Sequence, residues 1–343
     1  MPGISPFRAL RYDEAVAGPL PELVAPPYDV IDDEARSAYL ARSPYNVVHL
    51  TLPDSPAEAE RTLGDWRAQG VLREEEPALW FVAQDYVGPD GVARTREGLA
   101  AAIEVTPYAD GEVLPHERTH AGPKEERLQI LRATRTQLEP IFLLYDAEPP
   151  FTRPGDEPAL DVAEGDVRTR LWRLPAEAVD LDVPLLIADG HHRYETAVAF
   201  REEHPSATRT FAVLVSSRSP GLEIFPTHRL VARLAAEPAL APTAGWDRDA
   251  LALYRGGKYF HVDSDDELDA RAVERYAQNG VRYTPYAEEA VAAVDRGEAE
   301  AAFLVRAPSV SQVAAFARRG ETMPQKSTFF YPKLTSGLLF FPL

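Results

Sequence analysis

Cysteine is absent from the sequence, which excludes a disulfide framework, a thiolate zinc site and a cysteine nucleophile. Long apolar runs are absent too. Runs such as VPLLIA at 183–188 and LLFF at 338–341 fall far short of the roughly 20 residues that a membrane-spanning helix needs. No G-x-x-x-x-G-K-[ST] and no G-x-G-x-x-G occurs anywhere, so P-loop and Rossmann nucleotide sites are excluded by pattern. Lysine is scarce: of 36 basic residues only Lys124, Lys258, Lys326 and Lys333 are lysines, which makes the two inside MPQKSTFFYPK conspicuous. Acidic residues number 54 and the net charge is −18. Such a charge opposes attraction to a polyanion, so neither nucleic acid nor an anionic membrane is the expected partner. The first residues, MPGISPFRALRYDEA, show no basic segment followed by an apolar one, and a cytoplasmic location is expected.

What the chain does carry is organised around VPLLIADGHHRYETAVAF, residues 183–200. Val183 to Ala188 reads as a strand buried on both faces. After Asp189-Gly190, the positions of Tyr194, Ala197, Val198 and Arg201 follow helical spacing. A strand that turns on glycine into a helix aims its first amides outward, where the helix dipole favours an anion by about 0.3 to 1 kcal/mol. A phosphate is the simplest ligand for that place. The plain alternative is that Asp189 caps the helix and the histidines face solvent.

Around this segment, PIFLLY at 140–145 reads as another buried strand, and 78–86 with 95–106 as a hairpin about GPDG. Residues 32–43 and 57–69 read as helices, 46–52 (NVVHLTL) as a strand, and 124–137 as a helix. The polar connection 146–167 is the least ordered in appearance. TFAVLVS at 210–216 adds a strand, so strand, helix, strand recurs and some parallel pairing is expected. The fold class is α/β with a mixed sheet. Composition shifts after residue 230, which divides the chain into 1–230 and a C-terminal α/β subdomain, 231–343. His116-Glu117-Arg118-Thr119-His120 fits the H-E-x-x-H pattern. Pro115 before it and Gly122-Pro123 after it deny the continuous helix that a zinc protease requires.

Five separated motifs carry a resemblance: APPYDVI (25–31), LPHERTHAGPKEERLQILRAT (114–134), EPIFLLY (139–145), ADGHHRYETA (188–197) and MPQKSTFFYPKLTSGL (323–338). Together they resemble domain-of-unknown-function family 1015. The DGHHR loop in turn resembles the phosphate-binding loop of the ParB/sulfiredoxin-like superfamily, whose members include sulfiredoxin, the ParB partition CTPase and a free-serine kinase. The resemblance implies a ParB/sulfiredoxin-like nucleotide-binding core with N-terminal elaboration, and a tail that returns to the site. In sulfiredoxin a cysteine follows the loop glycine; here that position is His191 and the chain has no cysteine, so sulfinic-acid repair is excluded. ParB-like clamping on DNA meets the objection of the negative charge.

The kinase resemblance passes both tests, because phosphoryl transfer asks for phosphate positioning, charge neutralisation and a base rather than a nucleophile. On this reading Gly190, His192 and Arg193 hold the phosphates with Lys326, Ser327, Thr328 and Lys333. Asp189, His191 and Glu117 are the catalytic candidates, and Tyr28, Asp29 and His116 lie on the acceptor side. The expected cofactor is ATP or ADP, with CTP open, and Mg²⁺, which Asp189 or Glu117 could carry in place of acting as the base. The expected function is nucleotide-dependent phosphotransfer to a small hydroxylated metabolite such as serine, and a homodimer is compatible with it. Two alternatives stay open: a nucleotide-binding switch without a second substrate, and a metal-dependent hydrolase if His116, His120, His191 and His192 converge.

Overall fold

Leu185–Asp189 and Ile141–Tyr145 lie side by side in one sheet, as two almost wholly apolar runs must if both of their faces are to leave water. The computed structural model describes residues 2–119, 121–277 and 280–343. The chain divides into two compact units, Met1–Leu222 with Pro332–Leu343, and Glu223–Tyr331. The position expected for the boundary, after residue 230, falls inside the strand His228–Val231 of the second unit. The tail from Pro332 belongs to the first unit.

The first unit is built on a mixed sheet of nine strands among the described residues. In chain order they are β1 (Ile4–Ser5), β2 (Leu79–Val87), β3 (Ala93–Glu104), β4 (Val113–Leu114), β5 (Ile141–Tyr145), β6 (Leu160–Glu164), β7 (Val167–Leu174), β8 (Leu185–Asp189) and β9 (Arg209–Ser216). Their order across the sheet is β4-β8-β5-β9-β3-β2-β7-β6, with β1 beside β3. Two pairs, β8 with β4 and β9 with β5, are parallel and the rest antiparallel. Alternate residues Leu185, Ile187, Ile141, Leu143, Tyr145, Ala212 and Leu214 form one core face with Tyr194. Each of the leucines and isoleucines among them contributes about 1.5 to 3 kcal/mol by leaving water. This is the α/β class with parallel pairing that the sequence pattern implied.

Among the described residues four longer helices accompany the sheet: α1 (Asp33–Arg42), α2 (Pro56–Ala68), α3 (Ala121–Thr134) and α4 (His191–Glu203). Asp32 caps α1 by accepting from Ala35 N–H, and Ser55 caps α2 by accepting from Glu58 N–H.

Two segments differ from the sequence expectation. Residues 46–52 form a helical turn, Val48–Thr51, and not a strand. The cause is Asn46, which is fully buried. Its amide donates to Glu22 O at 2.8 Å and Val24 O at 3.2 Å, while its oxygen accepts from Val48 N–H at 3.0 Å and so starts the turn. A short buried apolar run does not by itself tell strand from helix. The connection 146–167 contains β6, whose Leu160 and Val162 are buried and which pairs with β7 across the Gly165-Asp166 turn.

The second unit carries a six-stranded sheet among its described residues, in the order Leu240–Thr243, Lys258–Val262, Ala252–Arg255, Ala301–Leu304, His228–Val231, Val281–Thr284. Val231, Leu253, Phe303 and Val305 pack in one of its cores with Val273 of the helix Asp269–Glu274. A separate two-stranded ladder joins Glu223–Phe225 to Phe329–Tyr331.

Candidate functional site

The bend between β8 and α4 is made by Gly190, which takes a left-handed conformation (φ 90°) and stands at the helix N-cap without any side-chain capping bond. A Cβ at this position would lie 2.9 Å from Arg193 Nε, so both the backbone angle and the space require glycine. Asp189, the last residue of β8, is half-buried beside it. One of its oxygens accepts from Arg193 Nη2 at 2.6 Å and the other from Lys333 Nζ. Burial works against the Asp189 carboxylate, yet Lys333 and Arg193 outweigh it and hold its pKa well below the usual range. Burial likewise opposes the Lys333 ammonium, and Asp189 and Asp29 overcome it, leaving the pKa above the ordinary lysine value. The tail lysine and the loop arginine therefore meet on one carboxylate.

Arg193 turns inward. Its guanidinium bonds Pro140 O as well as Asp189, and its side chain is 10% exposed. Despite burial, Asp189, Glu139 and Asp29 keep it charged. His191 is buried and His192 half-buried. His116 N–H donates to His191 Nε2 at 3.3 Å, and His116 Nδ1–H donates to Ile187 O at 2.8 Å. The two rings meet edge to face with centroids 4.7 Å apart. Burial pushes His116 down to about 4 and His191 well below the usual histidine value. Both imidazoles are thus neutral at pH 7, and their bonds fix His116 as the Nδ1–H tautomer. Glu117 is half-buried in the segment before α3.

Tyr28 and Asp29 open the short turn Tyr28–Val30 that the two prolines introduce. Tyr28 N–H donates to Glu139 Oε1 at 3.0 Å, and the Arg127 guanidinium lies 4.2 Å from the centre of its ring. Asp29 is exposed, and its charge acts on both Arg193 and Lys333. Tyr28, Asp29, His116, Asp189, Gly190, His191, His192, Arg193 and Lys333 all belong to the first unit. Lys326, Ser327 and Thr328 belong to the second. There Lys326 is exposed with φ 55° and Ser327 donates its hydroxyl to Pro324 O at 2.6 Å. His120 lies outside the described residues. Among the described residues no three histidines or carboxylates are grouped to hold a metal ion.

Several participants were not singled out by sequence. Glu139, buried, accepts from Tyr28 and from Ser336 Oγ (2.7 Å); burial raises its pKa against the pull of Arg193 and Arg127. Its place just ahead of a proline and a buried strand was the available signal. Behind Lys333 lies a buried polar network. Arg96 Nη2 donates to Gln84 Oε1 at 2.5 Å and to Pro332 O at 2.7 Å. Gln84 Nε2 donates in turn to Lys333 O and Thr169 Oγ1, each at 3.3 Å, and Thr169 meets Thr335 at 3.2 Å. Arg96 and Gln84 therefore hold the two carbonyls around the Pro332–Lys333 peptide and set the backbone from which Lys333 reaches Asp189.

The family description "Protein of unknown function (DUF1015)" matches residues 4–284, most of the chain. The chain belongs to the DUF1015 family. No curated protein matches it. Among solved structures, it is similar to a conserved hypothetical protein from Pyrococcus furiosus at 17% identity, over 67% of this chain and 90% of that one, with TM-score 0.38. It is similar to a free serine kinase in complex with AMP at 17% identity, over 70% of this chain and 92% of that one, with TM-score 0.40. SbnI with C-terminal truncation from Staphylococcus aureus is similar at 11% identity, over 68% of this chain and 84% of that one, with TM-score 0.42. Among the described residues no helix is long and apolar enough to cross a membrane.

Proposed function

We propose that this DUF1015 protein is a nucleotide-dependent phosphotransferase that uses the Asp189–Gly190–His191 bend to seat the phosphates of ATP or ADP and transfers the terminal phosphoryl group to a small hydroxylated metabolite. The observation that carries this reading is the convergence of Lys333 and Arg193 on Asp189 at an uncapped helix start. Cationic groups there, with the dipole of α4, form a seat for an oxyanion. Lys333 and His192 supply direct contacts to the phosphates. Arg193, tied to Pro140 O and Asp189, contributes its charge from behind the bend.

The acceptor hydroxyl oxygen attacks the terminal phosphorus as the bond to the bridging oxygen breaks, and its proton passes to a base. Asp189 is ill suited to receive it, because both its oxygens are bonded to cations and its pKa is held low. His191 is a buried neutral ring whose Nε2 already accepts a bond. Glu117 is the base in this proposal, with Tyr28, Asp29 and His116 on the acceptor side. Residues of the first unit alone carry it. Mg²⁺ is usually bound by one or two carboxylates together with substrate phosphates; with Glu117 kept as the base, Asp29 is the carboxylate available for that, and no step is assigned to the ion.

Incubation of the purified protein with ATP, ADP and CTP, with and without pooled hydroxylated metabolites, tests the reading. Consumption of nucleotide only when an acceptor is present is expected. Tight binding without consumption would instead mark a nucleotide-binding regulator, and no binding of any nucleotide would refute the seat.

A further inference from the structure

The second unit contains a cavity of about 150 Å³ whose wall includes Arg229, Asp269, Arg306, Gln312 and Ser327. Arg229 is 4% exposed. Its hydrogen bonds go to two backbone carbonyls, Thr227 O and Lys326 O (3.2 Å), and the Tyr283 ring lies 5.8 Å away. The carboxylates of the wall are already committed. Asp269, whose charge reaches Arg229, is held by Arg306 through Nη2 at 2.6 Å and Nε at 3.1 Å and also accepts from Arg306 N–H at 2.7 Å. Glu267 pairs with Arg319 at 3.1 Å. Among the described residues Arg229 makes no ion pair; Asp269 and Glu274 act on its charge only from a distance, and burial brings its pKa down to about 10.

A buried charge left without an ion-pair partner is costly, and an anion in the cavity would supply one. The cavity has room for one: a water occupies about 30 Å³ of liquid, so several waters or one small anion fit. Arginine presents five N–H donors in a fixed fork that matches an oxyanion, and the two carbonyl bonds leave donors for it. We propose that the second unit binds a small oxyanion, a phosphate or carboxylate group, in this cavity, with Arg229 as its counter-charge and Ser327 and Gln312 on the wall. This accounts for Ser327 in the MPQKST segment without any reference to the first unit, and it stands or falls separately from the phosphotransferase reading.

The test is hydrogen exchange read by mass spectrometry on the full chain, with inorganic phosphate or acetate added against sodium chloride of equal ionic strength. Phosphate, acetate or both should slow exchange in peptides covering 226–231 and 306–312, and which of them does so identifies the group recognised. Arg229→Gln should abolish the effect. Gln312→Glu guards against a variant that merely fails to fold. Gln312 Oε1 accepts from Ser309 N–H in a capping box that glutamate completes equally well, and the one bond lost, from Gln312 Nε2 to Glu267 O at 3.2 Å, is exposed. The added negative charge at the cavity should weaken the anion about tenfold. Absence of protection with either anion in the wild type, or an undiminished affinity in Gln312→Glu, would overturn the proposal.

Discussion

Acidification should destabilise the first unit through His116, and the size of the effect follows from its surroundings. The ring is fully buried, donates from Nδ1 to Ile187 O and is held neutral down to about pH 4. In the unfolded chain the same histidine titrates near 6.5. Its folded pKa is depressed, so below about pH 6.5 the unfolded chain takes up a proton that the native state refuses. The stability this group contributes is present above that value and is lost as the pH falls toward 4. Between pH 7 and pH 5 the loss comes to about 2 kcal/mol for His116 alone. His191, also depressed, adds to it with the same sign. Urea unfolding of wild type and His116→Gln at pH 7 and pH 5 isolates the contribution, because glutamine can still donate to Ile187 O but does not titrate. The gap between the two proteins should shrink by about 2 kcal/mol on acidification. A gap that stays constant across the two pH values would show that His116 is not the buried neutral ring described, and the tautomer assigned to it would fall as well.

Gly190→Ala should cost about 1 to 3 kcal/mol, since it forces a φ of 90° on an L-residue and brings a Cβ to 2.9 Å from Arg193 Nε; an unchanged urea midpoint would refute the left-handed bend. Lys333→Met removes one of the two cations on Asp189 and should lower stability by about 3 kcal/mol, with a weakened affinity for ATP or ADP in equilibrium binding; nucleotide affinity equal to wild type would remove the tail lysine from the seat. In Arg96→Met two buried donors without partners, Nε and Nη1, disappear together with the bonds to Gln84 and Pro332. Calorimetry should accordingly show a net stability change of only about 1 kcal/mol, while nucleotide binding suffers because the peptide carrying Lys333 loses its clamp; a large loss of stability with intact binding would contradict that division.

How much of this could be read from the chain depends on whether the deciding contacts are local. The buried strands at 141–145 and 185–189 are legible because an unbroken apolar run has few other destinations, and the capped helices because Asp32 and Ser55 act within three residues of their own positions. The segment at 46–52 is misread because its fate is settled by Asn46 reaching Glu22 and Val24, more than twenty residues back. Strand β6 is hidden for a different reason: the acidic composition of 146–167 masks the alternation of Leu160 and Val162. At the site, the loop residues announce themselves, yet the inward turn of Arg193 could not be foreseen, since its second acceptor is the carbonyl of Pro140. Gln84 and Lys333 lie 249 positions apart; nothing in either neighbourhood points to the other.

That inward turn changes what the loop can do on the proposed reading. An arginine following a glycine bend would, as an isolated motif, be assigned to the ligand, but here it is spent on keeping Asp189 ionised and in place. Asp189 in turn holds Lys333 over the helix start while neutralising much of its charge. An incoming phosphate must therefore compete with a carboxylate for the same ammonium, and charge-assisted bonds of similar strength are exchanged rather than gained. Inorganic phosphate alone should bind weakly for that reason. A nucleotide, whose remaining contacts supply additional binding energy, can draw Lys333 away from Asp189, and an interaction strengthened only as charge builds on the transferring group is the kind that accelerates transfer rather than merely tightening binding.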